Sequence, residues 1–197
     1  MADDARSYWD AQAVTFDEEP DHGLLDCDAR AAWSDLLMPL LPTAPASIAD
    51  LDCGTGSLSV LLAESGHSIC GLDISGEMIA IARNKAQTAG VSATFIQGDA
   101  AAPPLRPASF DVVLARHVLW ALVDPAAALR RWAVLLKPDG IMLLIEGRWS
   151  TGTGLTAAES TQLVRELRDH VEAHPLADPR LWGKRIDDER YLLISRS

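Results

Sequence analysis

The stretch Ile48-Ala-Asp-Leu-Asp-Cys-Gly-Thr-Gly56 constrains this chain more than any other. An apolar run from Ile48 to Leu51 passes directly into a turn carrying Gly54 and Gly56. An amphipathic segment then opens at Ser57, with Leu58, Leu61 and Leu62 at helical spacing and Gly66 placed to stop it. Strand, glycine turn and helix together bring backbone close to a ligand and aim free helix N–H groups at it. A second apolar run, Ser68-Ile-Cys-Gly-Leu-Asp73, ends on an acid seventeen residues beyond Gly56. A carboxylate at the end of the second strand of such a unit can accept hydrogen bonds from ribose hydroxyls. Residues 48–73 therefore predict a nucleoside-binding half of a doubly wound sheet.

A dinucleotide site wants a third glycine, G-x-G-x-x-G, and Ser59 stands in its place. Asp50, inside the strand, would repel a pyrophosphate and attract an ammonium group. At these residues the chain resembles the class I S-adenosylmethionine (SAM)-dependent methyltransferases, whose first motif has the form L-D-L-G-C-G-T-G. The corresponding run here is Ala49-Asp50-Leu51-Asp52-Cys53-Gly54-Thr55-Gly56, with Asp52 where the family usually has glycine. The resemblance implies SAM as cofactor, held by Asp50, Asp52, Cys53, Gly54, Thr55 and Gly56, and by Asp73, Ile74 and Met78 after the second strand. It further implies that Asp99 meets the adenine amine and the Ala100 N–H a ring nitrogen, with Arg116 a further cofactor contact. A Leu136-Lys-Pro-Asp-Gly140 turn before an apolar strand is a second close likeness. The resemblance is strong over residues 48–147 and holds by pattern outside them.

The periodicity predicts helices over 7–16, through Trp9, Ala13 and Phe16, and over 28–41, with a polar break at 17–23. A helix capped by Ser75 leads to a third strand at 93–97. Phe110–Ala115 reads as a central parallel strand, Asp124 and Pro125 as the start of a helix, and Ile141–Ile145 as a fifth strand. Thr156 to Glu159 fits a capping box, and 170–176 with 189–196 would be an antiparallel pair. The expected fold is α/β: a doubly wound, mostly parallel seven-stranded sheet, helices on both faces, closed by that antiparallel pair. One domain spans 1–197, with 1–45 a helical lid over a core at 46–197. Trp33 reads as core, while Tyr8, Trp9 and His22 flank the break where such a lid would hinge.

Composition narrows the partners. A formal net charge of −11 disfavours nucleic acid and anionic lipid, because phosphate contacts need Lys and Arg. No apolar run reaches the roughly 18 residues a membrane helix needs, and the Met-Ala-Asp-Asp start lacks a signal-peptide pattern. Three cysteines without paired spacing argue against a disulfide framework and a zinc site, so no metal is expected. These readings place the chain in the cytoplasm, acting on a small molecule.

SAM carries its methyl on a sulfonium, so alignment of the acceptor supplies much of the rate, up to about 7–11 kcal/mol. A base is required only for an acceptor that arrives protonated with a high pKa. Arg116-His117 follows the fourth strand, at the edge where ligands of open sheets sit, which makes His117 a candidate base alongside His22. Tyr8, Trp9, Phe16, Trp120 and Trp149 are the candidate acceptor pocket. His67 and His170 read as surface residues. The expected activity is methyl transfer to an O, N or S atom, without fixing the acceptor or the oligomeric state. A nucleic-acid or protein methyltransferase and a non-catalytic SAM-binding protein stay open. Ser59 and Asp50 count against a nicotinamide-dependent oxidoreductase.

Overall fold

The alternating apolar runs and amphipathic segments assemble, in the computed structural model, which describes residues 2–196, into one seven-stranded sheet. The strands are β1 (Ser47–Leu51), β2 (Ser68–Asp73), β3 (Ala93–Gln97), β4 (Phe110–Arg116), β5 (Leu136–Arg148), β6 (His170–Pro175) and β7 (Glu189–Arg196). Their order is β3-β2-β1-β4-β5-β7-β6, parallel except that β7 runs antiparallel to both neighbours. The helices are α1 (Ala2–Gln12), α2 (Pro20–Gly23), α3 (Cys27–Leu37), α4 (Ser57–Glu64), α5 (Gly76–Ala89), α6 (Pro125–Leu135) and α7 (Ala157–Arg165). None of the described helices is long and apolar enough to cross a membrane.

Burial explains the strand composition. Ile48 to Leu51 and Val112 to Ala115 are buried residue after residue, as strands covered on both faces must be. On one face Trp33, Leu37, Leu58, Leu62 and Trp182 pack against the sheet, and on the other Leu129, Trp132 and Val164 do so. Trp33 is fully buried and donates its indole N–H to the Leu181 carbonyl at 2.9 Å. Local chemistry fixes the helix starts: Ser75 accepts from Met78 N, Asp124 from Ala127 N, and Thr156 with Glu159 forms a reciprocal capping box. The strand order reverses between β1 and β4, and a crevice opens there at the carboxyl ends.

Several expectations are corrected. The first helix stops at Gln12 instead of running to 16, because β-branched Val14 and Thr15 follow and the chain tightens into turns. Trp9 and Phe16 therefore meet edge to face across a bend, ring centroids 6.2 Å apart. The polar break is itself helical: a 3-10 turn at Phe16–Glu18, then α2 with Pro20 in its first turn. Lys137 to Gly140 forms no separate turn, since β5 already begins at Leu136, opposite Phe110. His67 is buried, not on the surface; its Nδ1 accepts from Ala46 N at 3.3 Å and secures the entry to β1.

Candidate functional site

Beyond Leu51 the chain must turn sharply without losing contact with β2. Asp52 takes a left-handed conformation with φ 61°, the kind of backbone that aspartate tolerates better than most residues. Cys53 N donates to Leu72 O at 2.9 Å, and Gly54 N donates to the Asp73 carboxylate at 2.8 Å. Ser75 N donates to the other Asp73 oxygen at 2.8 Å, so one buried acid ties both loops together. Gly56, at φ 75°, begins α4, and a Cβ there would stand 2.7 Å from the Ala82 Cβ. A Cβ on Gly54 would sit 3.0 Å from the Phe16 ring.

These loops form one wall of a cavity of about 240 Å³, contributed by Asp50, Asp52, Cys53, Gly54 and Asp73 with Leu58 and Met78 beside them. Asp50 accepts a 2.6 Å bond from Ser59 Oγ, so the serine that replaces a third glycine instead fixes this carboxylate. Burial pushes Asp50 and Asp73 up to about 6. Asp52 is raised well above the usual range, first by burial and then by Asp73 and Asp50. Burial also pushes the Cys53 thiol up.

The opposite wall comes from the N-terminal segment. Trp9, Phe16 and His22 line it, with the His22 ring stacked on Phe16 at 4.2 Å. The segment is tied down by its acids. Asp10 accepts from Ser75 Oγ at 2.5 Å and from Glu77 N at 3.3 Å. Asp17 accepts from Thr55 Oγ1 at 2.5 Å and pairs with Lys85 at 2.7 Å. The Arg116 guanidinium donates to the Asp21 carbonyl and lies over Trp33.

The end wall is an elbow after β4, lined by Arg116, His117, Trp120 and, from beyond β5, Trp149. His117 has φ 60°, a costly backbone for this residue type. The elbow is held by His117 N donating to Ile145 O at 2.8 Å, and by Val118 N and Leu119 N donating to Glu146 Oε1 at 2.9 and 2.8 Å. Glu146 is buried and pushed up to about 7 by that burial, against the pull of its two N–H donors. The His117 ring stacks on Trp182 at 5.8 Å and meets the edge of Trp149 at 5.3 Å. Its Nε2 is enclosed and has no hydrogen-bond partner. Burial, reinforced by Arg116 and Arg190, holds His117 well below the usual histidine range, and burial lowers His22 against the pull of Asp21.

The structure thus brings thirteen of the nominated side chains around one cavity: Trp9, Phe16, His22, Asp50, Asp52, Cys53 and Gly54, then Asp73, Met78, Arg116, His117, Trp120 and Trp149. Others lie off it. Tyr8 is exposed, edge-on to Trp9. The Thr55 hydroxyl faces Asp17 and Lys85 behind the loop, and Gly56 packs on α5. Ile74 offers its carbonyl to Gln97. Asp99 is exposed and accepts from Ala101 N at 2.7 Å, while the Ala100 carbonyl accepts from the Trp132 indole. Sequence reasoning missed the anchoring acids Asp10 and Asp17, their partner Lys85, and Glu146 behind the elbow. A lone acid in a polar segment carries no sign of the partner it will meet.

Sheet order, glycine loop and the acid ending β2 define a Rossmann-like fold of the class I methyltransferase type. The residues fit SAM on the structure's own terms, since a buried carboxylate ends β2 and a side chain at Gly54 would crowd the cavity between this loop and Phe16. The methyltransferase domain family matches residues 49–144. Demethylmenaquinone methyltransferase of Thermus thermophilus is 34% identical over 126 residues, 62% of this chain and 57% of that protein. Ubiquinone biosynthesis O-methyltransferase of Ralstonia nicotianae is 35% identical over 107 residues, 54% of this chain and 45% of that protein. The chain spans about half the length of these curated relatives. Among solved structures, a SAM-dependent methyltransferase from Methanosarcina mazei superposes with a TM-score of 0.68 at 20% identity, covering 82% of this chain and 96% of that one. The [4+2]-cyclase SpnF superposes with a TM-score of 0.72 at 21% identity, covering 84% of this chain and 80% of that one.

Proposed function

We propose that this protein transfers a methyl group from SAM to an O, N or S atom of a small, flat acceptor in the cytoplasm. The observation that carries this reading is that the acidic loops and an aromatic wall line one shared cavity. The fold alone would not, because a cyclase shares it. SAM supplies a methyl already attached to a good leaving group, so the chain's residues have mainly to bind, orient and exclude water. Asp73 receives the ribose hydroxyls, and Asp50 faces the cationic end of the cofactor. Asp99 and Ala100, at the next loop, would meet the adenine. Trp9, Phe16, Trp120 and Trp149 hold the acceptor ring by its faces and edges. An acceptor proton, where there is one, goes to a neutral imidazole, His117 or His22.

At about 240 Å³ the cavity is smaller than the roughly 300–1,000 Å³ usual for small-molecule sites. The segment of residues 5–25 therefore acts as a lid that moves outward to admit cofactor and acceptor, while α3 stays packed in the core through Trp33 and Leu37. An enclosed cavity of this size suits a small molecule better than a protein or nucleic-acid chain. The similar proteins named for quinone biosynthesis make hydroxylated aromatic rings the first acceptors to try. The test is calorimetry with SAM and with NADH, followed by transfer of labelled methyl to a panel of phenols, thiols and amines. SAM binding with turnover of at least one acceptor is expected. NADH binding without SAM binding would overturn the reading.

A further inference from the structure

We propose that Asp21, His22 and His117 form a binding site for one divalent cation of the zinc type at the acceptor end of the cavity. Among the described residues, these three are the one group of three such side chains whose donor atoms all lie within 4.8 Å of one another. Two imidazoles and a carboxylate are a ligand set zinc takes while keeping a fourth position open. Here that position faces the cavity, which His22 and His117 both line.

The His117 ring supplies an independent sign. Its Nε2 is buried without a hydrogen-bond partner, and a buried polar atom left in that state calls for a missing partner. The strained backbone at φ 60° aims the ring inward, and the stack on Trp182 holds it there.

Asp21 brings the charge. Arg116 bonds the carbonyl of Asp21, leaving its carboxylate to face His22 Nε2 at 3.7 Å. Ligands of a tetrahedral zinc stand about 3.4 Å apart, given bonds of about 2.0–2.1 Å. The group must therefore close slightly. His22 can supply that motion, since it belongs to the four-residue α2 and is held by a ring stack on Phe16. Arg116 and Arg190 both face His117 and oppose a cation here; the Asp21 carboxylate, with Asp50 and Asp73 across the same cavity, works against them. With the cation bound neither imidazole would take the acceptor proton; the open position would instead take the acceptor oxygen and lower its pKa, a point that rests on the methyl-transfer reading. Cation binding itself does not rest on it.

The experiment is titration of the full-length, chelator-treated protein with Co²⁺, read by visible absorption, and with Zn²⁺, read by calorimetry. One equivalent is expected, with the intense visible bands of a four-coordinate Co²⁺ site. His22→Ala, Asp21→Asn and His117→Asn should each weaken binding at least tenfold. Asparagine at 117 tolerates the left-handed backbone, so that variant keeps the fold, checked by near-UV circular dichroism. His174→Ala, which alters an exposed pair with Glu172, should change nothing. Absence of one-equivalent binding, or binding lost in His174→Ala and kept in the other three, would overturn the proposal. The acceptor panel decides separately: no turnover alongside a normal Co²⁺ titration would sink methyl transfer and leave the cation site standing.

Discussion

The wall built from β1, β2 and β4 and the wall built from residues 8–22 face each other across one cavity, yet different bonds hold them. The first is held at its backbone N–H groups, by Cys53 N donating to Leu72 O and by Gly54 N and Ser75 N donating to the buried Asp73 carboxylate, all between 2.8 and 2.9 Å and anchored on strands buried on both faces. The second is held through side chains, by Asp10 on Ser75 and Asp17 on Thr55 and Lys85, with aromatic rings beneath. Breaking the first wall means unfolding strands. The second can be released by breaking a few exchangeable polar contacts, each worth about 0.5–1.5 kcal/mol net. The sheet-side wall can thus stay in place while the other opens.

The largest effect should come from the acid that ties the two loops together. Asp73→Ala removes the proposed ribose ligand and the acceptor for two backbone N–H groups, with charge-assisted bonds worth about 1.5–3 kcal/mol each. SAM affinity should fall at least tenfold by calorimetry while the far-UV spectrum is retained. An unchanged dissociation constant would remove Asp73 from the site.

The pH dependence sharpens the same wall. Asp50 and Asp73, held up to about 6 by burial, bind a proton more tightly folded than unfolded. Their contribution to stability is complete below their ordinary pKa near 4 and is lost as pH rises through 6. Cofactor-free protein should therefore lose this contribution between about pH 4 and 7, and SAM, whose positive charge favours ionised acids, should bind roughly tenfold more tightly at pH 7.5 than at pH 5. Calorimetry across that range checks it; affinity flat with pH would mean neither acid meets the cofactor.

The N-terminal wall should respond to a gentler change. Asp17→Asn weakens the ties to Thr55 and Lys85, so amides of residues 8–22 should exchange about five- to tenfold faster, with little change in those of β1 and β4. Equal acceleration in the strands would mean the two walls form one cooperative unit.

These walls also differed in how well they could be read from sequence. The loop at 52–56 and the acid at 73 are short-range features: glycine spacing and strand length state their geometry locally. The antiparallel β6–β7 pair was legible too, from the apolar run Tyr191 to Ile194. The N-terminal wall depends on contacts that no local pattern announces, such as Asp10 with Ser75 or Asp17 with Lys85. The first helix was read too long because Phe16 fell in register with Trp9, whereas Val14 and Thr15 favour leaving the helix. His67 looked like a surface residue because its neighbours are polar, and only the entry to β1 explains its burial. His22 and His117 lie too far apart in the chain for spacing to show that they line one cavity.

The smallest effect is expected at Asp52, where the backbone already accepts φ 61°. Its carboxyl is raised well above the usual range by burial and by Asp73 and Asp50, so it gives the cofactor little charge and crowds the loop. Asp52→Gly should bind SAM at least as tightly as the parent, with the larger gain at higher pH. A clear loss of affinity would make Asp52 a cofactor ligand.

The central claim, a fixed wall and a movable one closing on a single cofactor site, is tested most directly by hydrogen exchange with and without SAM plus a turned-over acceptor. The account predicts slowed exchange in residues 5–25 and in the loops after β1 and β2, with β6 and β7 unchanged. Protection of 5–25 that is the same in both states would contradict it, and would make the N-terminal segment a fixed part of the core.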